Sequence, residues 1–320
     1  MKSLDTWRLI NESVKQDLPV MLLYVLESAG SSPGRAGFLM AVNSSGEMEG
    51  SLGGGIMEHK FVETAKARLN NETQEISVHK QIHNKTAPSH QSGMICSGEQ
   101  TILLYRVQVI DARQIDAIVH CLEENKNGIL QLSPAGINFL TDGEVLNDIS
   151  FVKRTAEDWT YMEKIGFKNH LYIIGGGHCA LALSRLMSLM DFYIHLFDDR
   201  RGLKTMLQNE FVHEKSTLED YSSLSQHIDS GINHYVVIMT FGYRTDAIAL
   251  LALINKNFKY LGMLGSRHKI KKMFANLRQM NIDEAAIQKI HAPIGLVIKS
   301  HTPEEVAISI AAQIIKVKNG

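Results

Sequence analysis

The chain has 320 residues, enough for two domains with separate cores. Its composition, 44% hydrophobic and 21% charged, is ordinary for a soluble globular protein. The formal net charge of −1 gives no general attraction to nucleic acid or anionic membranes, and no apolar run has the length of a transmembrane helix. Because the sequence has no signal-peptide pattern and only three cysteines, we expect a cytoplasmic protein without a disulfide framework.

The first patterned elements are a helix and three strands. Residues 5–15 have the apolar spacing of an amphipathic helix, and residues 19–26 form the continuous apolar run of a buried strand. Residues 27–37 are predicted to form a polar loop rich in small residues. Residues 38–42 and 47–51 then have the pattern of a hairpin around a short turn.

Three consecutive glycines, Gly53, Gly54 and Gly55, follow the hairpin. After them, apolar residues recur every four positions and predict one face of a helix: Met57, Phe61, Ala65 and Leu69. A glycine turn at a helix start exposes backbone N–H groups that can hold an anion. The alternative is a tight turn that needs left-handed dihedral angles. We favour a ligand-facing role, because three glycines cost more backbone entropy than such a turn usually requires.

Residues 70–92 are polar and are predicted to form a solvated loop. Their histidines match no metal-ligand spacing: His79, His83 and His90. Cys96 lies in a glycine-flanked turn before the predicted strand 101–107, so both a reachable thiol and a buried cysteine fit the pattern. Cys121 falls among apolar residues of the predicted helix 111–125 and is expected in the core.

Two short predicted strands, 129–132 and 137–140, complete a first domain that we place at residues 1–150. Residues 151–167 contain a charged run with an aromatic residue and are predicted to be a connector. The second domain is then expected to occupy residues 168–320.

The second domain opens with a strand, a glycine turn and a helix start. The pattern Gly175-x-Gly177-x-x-Ala180 fits the dinucleotide-binding fingerprint. A second strand, 192–197, ends at Asp198, where a ribose-binding acid is expected. This pattern predicts an anion site and a ribose contact without specifying NAD, and a glycine turn with no ligand is the alternative.

Strands and helices alternate through the second domain, which predicts a doubly wound parallel sheet. Residues 293–298 are expected to form its fifth strand, and Thr302 to cap the last helix. Ligands bind such sheets at the carboxyl ends of the strands. Basic residues that would suit a phosphorylated ligand lie in turns at these ends: Arg200, Arg201, Arg244, Arg267 and Lys269.

An ordered set of motifs resembles the xanthine dehydrogenase accessory (XdhC/CoxI) family along nearly the whole chain. In the first domain these motifs are Gly30-Ser31-Ser32-Pro33, Gly50-Ser51-Leu52-Gly53-Gly54, Glu58 and Cys96-Ser97-Gly98-Glu99. In the second they are Gly175-Gly176-Gly177-His178, Asp198-Asp199-Arg200, Gly262-Met263-Leu264-Gly265-Ser266-Arg267, Pro293-Ile294-Gly295-Leu296 and Pro303-Glu304-Glu305-Val306-Ala307. The expected fold is α/β, with an N-terminal mixed α/β domain and a C-terminal Rossmann-like doubly wound parallel sheet.

The resemblance implies a maturation factor for molybdenum hydroxylases of purine catabolism. Such proteins bind the molybdenum cofactor, a molybdopterin, and protect it while a cysteine desulfurase replaces an oxo ligand by sulfur. They then deliver it to a xanthine dehydrogenase-type apo-enzyme. They are typically cytoplasmic homodimers, and we expect no independent turnover. The residues expected to bind the cofactor are Ser31, Ser32, Gly53, Gly54, Gly55, Glu58, Cys96, Gly175, Gly177, His178, Asp198, Arg200 and Arg267, with Cys96 as the metal ligand.

The chain departs from the family pattern in three places. Gly55 stands where the family often has a cysteine, and the family's cysteine–glycine–glycine turn is Cys96-Ser97-Gly98 here. The family's threonine–histidine–aspartate–histidine run is Thr240-Phe241-Gly242-Tyr243. This last change removes two polar groups that could bind a metal or exchange protons.

An NAD(P)-dependent oxidoreductase that uses the second domain is the alternative function. The fingerprint with Asp198 supports it, but no catalytic pair is evident after the strands. A regulatory nucleotide-binding module without chemistry also fits, and either would place a nucleotide at the fingerprint. The leading hypothesis further expects Gly54, Cys96 and Gly177 to border one cleft wide enough for a pterin and its phosphate.

Overall fold

The chain divides into two compact units, Met1–Gly166 and Phe167–Gly320. The computed structural model describes residues 2–71, 76–82, 98–141 and 148–320. His83, His90 and Cys96 lie outside the described residues. Each unit is mixed α/β, and the second contains a parallel sheet, which confirms the predicted fold class. In the part of the chain that is described, no helix combines the length and apolar character needed to cross a membrane.

The first unit is built on two antiparallel sheets. Its described helices are α1 (Lys2–Lys15), α2 (Gly55–Asn70) and α3 (Ala112–Glu123). The larger sheet contains β1 (Val20–Gly30), β2 (Leu39–Asn43), β3 (Met48–Gly50), β4 (Ser77–Ile82) and β5 (Gly98–Arg106), in the order β3-β2-β1-β5-β4. The smaller sheet contains β6 (Gly128–Ser133), β7 (Gly136–Leu140), β8 (Ile149–Lys153) and β9 (Trp159–Ile165), in the order β7-β6-β9-β8.

Strand β1 is central because both of its faces are apolar. Successive side chains of a strand point to opposite faces. One face packs with α2 through Met21, Leu23 and Val25. The other packs with α1, α3 and the smaller sheet through Val20, Leu22, Tyr24 and Leu26. The continuous apolar run of β1 therefore packs into two cores, one on each face of the strand.

Strand β1 is longer than the sequence predicted. Residues 27–30, expected in a loop, stay paired with β5 from Glu27 opposite Thr101 to Gly30 opposite Gly98. Their side chains are mostly exposed, so the apolar pattern that marks a buried strand ends before the pairing does.

The polar stretch 70–92 was predicted to be a loop, but it contains β4. This strand pairs antiparallel with β5 at the edge of the larger sheet. Its six side chains are half-buried or exposed. An edge strand with solvated side chains carries little apolar periodicity, which explains the wrong prediction.

The segment predicted as a connector, 151–167, is part of the first unit. It contains most of β8 and all of β9, and these strands form a hairpin whose turn is the charged run 154–158. Alternate side chains of β9 are buried, including Trp159, Tyr161 and Ile165. The charges therefore belong to a hairpin turn, and the boundary between the units follows Gly166.

The second unit is a six-stranded parallel sheet between two layers of helices. Its strands are β10 (Asn169–Ile174), β11 (Phe192–Asp198), β12 (Glu214–Thr217), β13 (Gly231–Ile238), β14 (Phe258–Met263) and β15 (Ile290–His291). The spatial order is β12-β11-β10-β13-β14-β15, and all neighbouring strands are parallel. The helices are α4 (His178–Met187), α5 (Lys204–Leu207), α6 (Leu224–His227), α7 (Tyr243–Leu253), α8 (Arg267–Gln279), α9 (Glu284–Gln288) and α10 (Pro303–Asn319). Each face of the sheet has its own apolar core.

Two predictions at the end of the chain have different outcomes. Residues 293–298 were expected to form a strand, but the last strand is β15 and these residues lie beyond it. Pro293 cannot donate to a strand ladder, and Gly295 has a φ of +94°. The predicted cap of α10 is confirmed: the Thr302 hydroxyl accepts from the Glu305 N–H at 3.2 Å, and the Glu305 carboxylate accepts from the Thr302 N–H at 3.3 Å.

Candidate functional site

The candidate site of the second unit is the carboxyl edge of its parallel sheet. The chain leaves β10 toward β11 and β12 on one side, and later places β13 on the other side of β10. The order of the strands therefore reverses between β10 and β13. Ligands of doubly wound sheets bind in the crevice at such a reversal. The turns after β10, β11 and β13 surround this crevice.

Three direct contacts join these turns. A Cβ on Gly175 would lie 2.4 Å from the Met239 carbonyl oxygen, so the turns after β10 and β13 touch through their backbones. The Gly176 N–H donates to the Asp198 carboxylate at 2.6 Å, which joins the turns after β10 and β11. The Arg200 guanidinium carbon lies 5.7 Å from the centre of the Phe241 ring, which joins the turns after β11 and β13. The turns after β10, β11 and β13 therefore meet at one edge of the sheet.

Asp198 is fully buried, and its carboxylate is bonded within the protein. Besides Gly176, it accepts from the Arg200 backbone N–H at 2.9 Å and from the Arg200 side chain at 2.8 and 2.7 Å. Burial alone raises the pKa of Asp198, but the hydrogen bonds from Arg200 and Gly176 outweigh it and hold that pKa below its usual value. The predicted ribose acid therefore fixes Arg200 and the glycine turn.

The first turn of α4 has room for an anion. Gly177 is its N-cap residue and has no side chain with which to cap the helix, and the first turn contains no acidic residue. A Cβ on Gly177 would meet no described atom within 4 Å. His178 follows as an exposed residue. Four predicted ligand residues of the second unit, Gly175, Gly177, His178 and Arg200, thus lie at one edge.

The turn after β13 is held by a second buried aspartate. Asp246 is fully buried and accepts from the Thr240 backbone N–H at 3.0 Å and from the Thr240 hydroxyl at 2.6 Å. The Lys269 ammonium donates to the other oxygen of the same carboxylate. Lys269 lies on α8, which begins at the exposed Arg267. The Lys269 charge is therefore used within the protein, whereas the predicted ligand residue Arg267 faces solvent.

The glycine turn of the first unit is arranged differently. The Glu58 carboxylate reaches back over the start of α2 and accepts from the Leu52 and Gly54 N–H groups at 2.8 and 3.0 Å. It also accepts from the Ser51 hydroxyl at 2.7 Å, and that hydroxyl accepts from the Gly53 N–H at 3.0 Å. The Gly53 and Gly54 amides, which were predicted to hold a ligand anion, thus donate to protein groups. A ligand phosphate there would have to displace Glu58.

Burial on its own raises the pKa of Glu58. The hydrogen bonds from Ser51, Leu52 and Gly54 outweigh burial and hold the pKa of this carboxyl below its usual value. A carboxylate that stays ionised at neutral pH is therefore part of the turn itself.

The loop with Ser31 and Ser32 packs directly on this glycine turn. A Cβ on Gly53 would lie 2.4 Å from the Gly34 nitrogen, and a Cβ on Gly98 would lie 2.6 Å from Ser31 and Ser32 backbone atoms. The buried Gln100 side chain donates to the Gly34 and Leu52 carbonyls at 3.0 and 3.2 Å. The predicted residues Ser31, Ser32, Gly53, Gly54, Gly55 and Glu58 therefore form one cluster.

The cysteine predictions have separate outcomes. Cys96 lies outside the described residues, and so does the metal contact expected of it. Cys121 is buried as predicted, and burial raises the pKa of its thiol. Cys179 is half-buried on the first turn of α4, and burial raises its thiol pKa as well. Over the described ranges, no group of three or more His, Cys, Asp or Glu side chains is placed to hold a metal ion.

The sequence did not single out three residues on which this geometry depends. Gln100 and Asp246 are buried polar residues with hydrogen-bond partners far away in the sequence. Gln100 bonds to the Gly34 and Leu52 carbonyls, and Asp246 bonds to Lys269 on α8, so no local pattern marks either residue. Phe241 was noted only as a departure from the family. Its 86% exposure and its contact with Arg200 are visible only in three dimensions.

Two family models match the chain, one in each unit. The model described as the XdhC and CoxI family matches residues 13–79, and the model described as the XdhC Rossmann domain matches residues 171–314. The chain belongs to the XdhC and CoxI family. The second match begins in β10 and ends in α10, so it includes all three turns of the carboxyl edge.

Curated relatives and a solved structure extend this family match. Uncharacterized protein YqeB of Escherichia coli K12 is 25% identical over 310 residues, which are 95% of this chain and 44% of the relative. The chain thus spans less than half of that protein. A probable xanthine dehydrogenase subunit of Bacillus subtilis 168 is 21% identical over 315 residues, 93% of each chain. A crystal structure of a xanthine dehydrogenase from Bacillus halodurans has a TM-score of 0.73 at 22% identity, covering 100% of this chain and 96% of that one, and shows a common fold.

Proposed function

We propose that this protein is a maturation factor that binds the molybdenum cofactor and delivers it to a xanthine dehydrogenase-type molybdenum hydroxylase. The observation that carries the proposal is the family match in both units, one over the Ser31–Gly55 cluster and one over the carboxyl edge of the parallel sheet. The names of the Bacillus subtilis and Bacillus halodurans relatives support xanthine dehydrogenase as the client enzyme.

The carboxyl edge of the second unit fits the phosphate of such a cofactor. The start of α4 combines unfilled space at Gly177 with the positive end of a helix dipole. Arg200 supplies a guanidinium whose orientation Asp198 fixes. Arg267 adds an exposed charge at the start of α8, which follows β14 at the same edge of the sheet. A phosphate that binds here would meet donors already in position, which lowers the entropy cost of binding.

The first unit contains a rigid turn of its own. Glu58 and Gln100 fix the backbones of the 31–34 and 51–54 segments. Cys96 comes two residues before Gly98, which packs on Ser31 and Ser32. A thiolate is a soft ligand suited to molybdenum, so Cys96 stays the proposed metal contact. In this role the protein would hold the cofactor while a cysteine desulfurase exchanges an oxo ligand for sulfur. We propose that it acts as a cytoplasmic homodimer.

The direct test is analysis of protein purified from a molybdenum-replete host. We expect molybdenum and pterin to co-purify with the wild-type chain and Cys96→Ser to lower the molybdenum content while the circular dichroism spectrum stays unchanged. Cys121→Ala is the matched control, because that thiol lies in the core. Transfer is tested by adding the loaded protein to an apo-hydroxylase and following its activity. Wild-type protein free of both molybdenum and pterin would overturn the proposal.

A further inference from the structure

Phe241 is an aromatic side chain that leaves most of its surface exposed. It is 86% exposed, although it lies at the point where three turns of the second unit meet. Aromatic side chains usually bury most of their surface, because exposing one forfeits a large hydrophobic gain. The neighbouring Met239 is buried and Thr240 is tied to Asp246, so the turn itself is well fixed. The exposed ring is therefore presented by a rigid support.

One neighbour holds the ring in place. The Arg200 guanidinium lies 5.7 Å from the ring centre, and Asp198 fixes that guanidinium with two side-chain hydrogen bonds. Arg200 is 37% exposed at its side chain, so part of the guanidinium still faces solvent. The cation thus lies over one face of the Phe241 ring, and the high exposure of Phe241 leaves the other face open to a ligand.

The space around this pair is open. Cβ atoms built on Gly177 and Gly242 would meet no described atom within 4 Å. Gly177 begins α4, and Gly242 follows Phe241 directly. A bulkier residue at position 242 would narrow the approach to the ring. The glycines therefore leave room for a flat group between the start of α4 and the turn after β13.

We infer that Phe241 and Arg200 form a stacking platform for the heteroaromatic ring of a phosphate-bearing ligand. This inference rests on the proposed function for the location of the phosphate, at the start of α4. A pterin and a purine share the required chemistry, namely a flat π-system with polar edges. The ligand ring stacks on the face of Phe241 that Arg200 leaves open, while the guanidinium over the opposite face holds the Phe241 ring in place. Phe241 thus favours ligands that carry a flat ring over ligands that carry a phosphate alone.

The test distinguishes the contribution of the ligand ring to affinity from the contribution of the phosphate. Phe241→Leu keeps an apolar side chain but removes the π-face, and Phe241→Trp keeps a π-face. Calorimetric titration would use GDP and ADP as purine probes and ribose 5-phosphate as a probe without a ring. Pterin binding is measured by releasing the pterin that co-purifies with each variant and quantifying it by fluorescence. Phe211→Leu is the matched control, because Phe211 also faces an arginine, Arg185, at 5.9 Å, away from the carboxyl edge.

We expect Phe241→Leu to weaken binding of the ring-bearing ligand roughly tenfold, since stacking on an aromatic side chain contributes on this order per base. Ribose 5-phosphate binding should stay unchanged, and Phe241→Trp and Phe211→Leu should behave as wild type. Equal loss of ribose 5-phosphate affinity in Phe241→Leu would overturn the inference.

The same measurements distinguish the inference from the proposed function. If wild type and Phe241→Leu retain the same amount of pterin and bind GDP and ADP with the same affinity, the stacking platform is overturned and the maturation role stays intact. Binding of GDP or ADP that depends on Phe241, in a protein that retains no pterin or molybdenum, supports the platform and overturns the maturation role. A wild-type protein that binds none of these ligands overturns both.

Discussion

The Gly176 N–H donates to the Asp198 carboxylate at 2.6 Å, so the acid at the end of β11 is bonded to the glycine turn after β10. Asp198 also takes three hydrogen bonds from Arg200. In a dinucleotide-binding protein the acid at this position is expected to face a ribose. Here it supports the turn and orients a cation, so its oxygens are bonded within the protein.

Asp198→Asn should destabilise the second unit by about 2 kcal/mol. The amide can still accept from Gly176, but it loses the ionic bidentate contact with Arg200, whose side chain is partly exposed and can be rehydrated. Urea unfolding followed by circular dichroism measures the change. Asp199→Asn is the control, because Asp199 accepts only a longer bond, 3.2 Å, from the Tyr221 hydroxyl in the described structure. An equal effect in both variants would contradict the assigned role of Asp198.

Gly175→Ala and Gly177→Ala should differ sharply. Gly175 has a φ of +106°, and its Cβ would lie 2.4 Å from the Met239 carbonyl, so alanine should cost at least about 3 kcal/mol of stability. Gly177 has a φ of −72° and an unobstructed Cβ, so Gly177→Ala should fold within about 1 kcal/mol of wild type. Thermal unfolding of the two variants checks the difference. A similar loss in both would show that the space at Gly177 is filled.

Glu58→Gln should change the acid stability of the first unit. Because the folded pKa of Glu58 is lowered, its ionised form contributes stability above the unfolded pKa of about 4.3, and this is lost as pH falls through the lower folded pKa. The variant should be about 1–2 kcal/mol less stable at pH 7, and the difference should vanish near pH 3.

Tryptophan fluorescence can follow this unfolding, since both tryptophans, Trp7 and Trp159, are buried in the first unit. Glu63→Gln is the matched control on the same helix. Its exposed pair with Lys66 should contribute under about 1 kcal/mol at either pH. A difference for Glu58→Gln that persists unchanged at low pH would show that its ionisation is not the cause.

Gln100→Leu should loosen the turn of the first unit. The substitution leaves the buried Gly34 and Leu52 carbonyls without this donor, which costs about 2 kcal/mol. Hydrogen exchange should quicken in the 31–37 and 51–55 segments. Gln131→Leu provides the comparison, since its bond to Asn138 is exposed. Unchanged exchange in both segments would remove Gln100 as the link between them.

Local patterns in the sequence predicted most of the elements that are strongly periodic. The fingerprint turn and the Thr302–Glu305 cap depend on residues close in sequence, and both were found where expected. The alternating strands and helices predicted the parallel sheet of the second domain, although the strand expected at 293–298 did not form. The edge strand β4 and the hairpin β8–β9 were missed, because their stability comes from pairing with β5 and with the smaller sheet.

The sequence by itself determined the fold class, the family and the positions of the glycine turns, since these follow from periodicity and from motifs of a few residues. Only the tertiary structure decided which groups fill those turns. At the start of α2, the Glu58 carboxylate reaches back and accepts from the Gly54 N–H. At the start of α4, Gly177 has no side chain with which to cap the helix. Partners for buried charges are chosen by distance in the folded chain, and a linear pattern does not encode that distance.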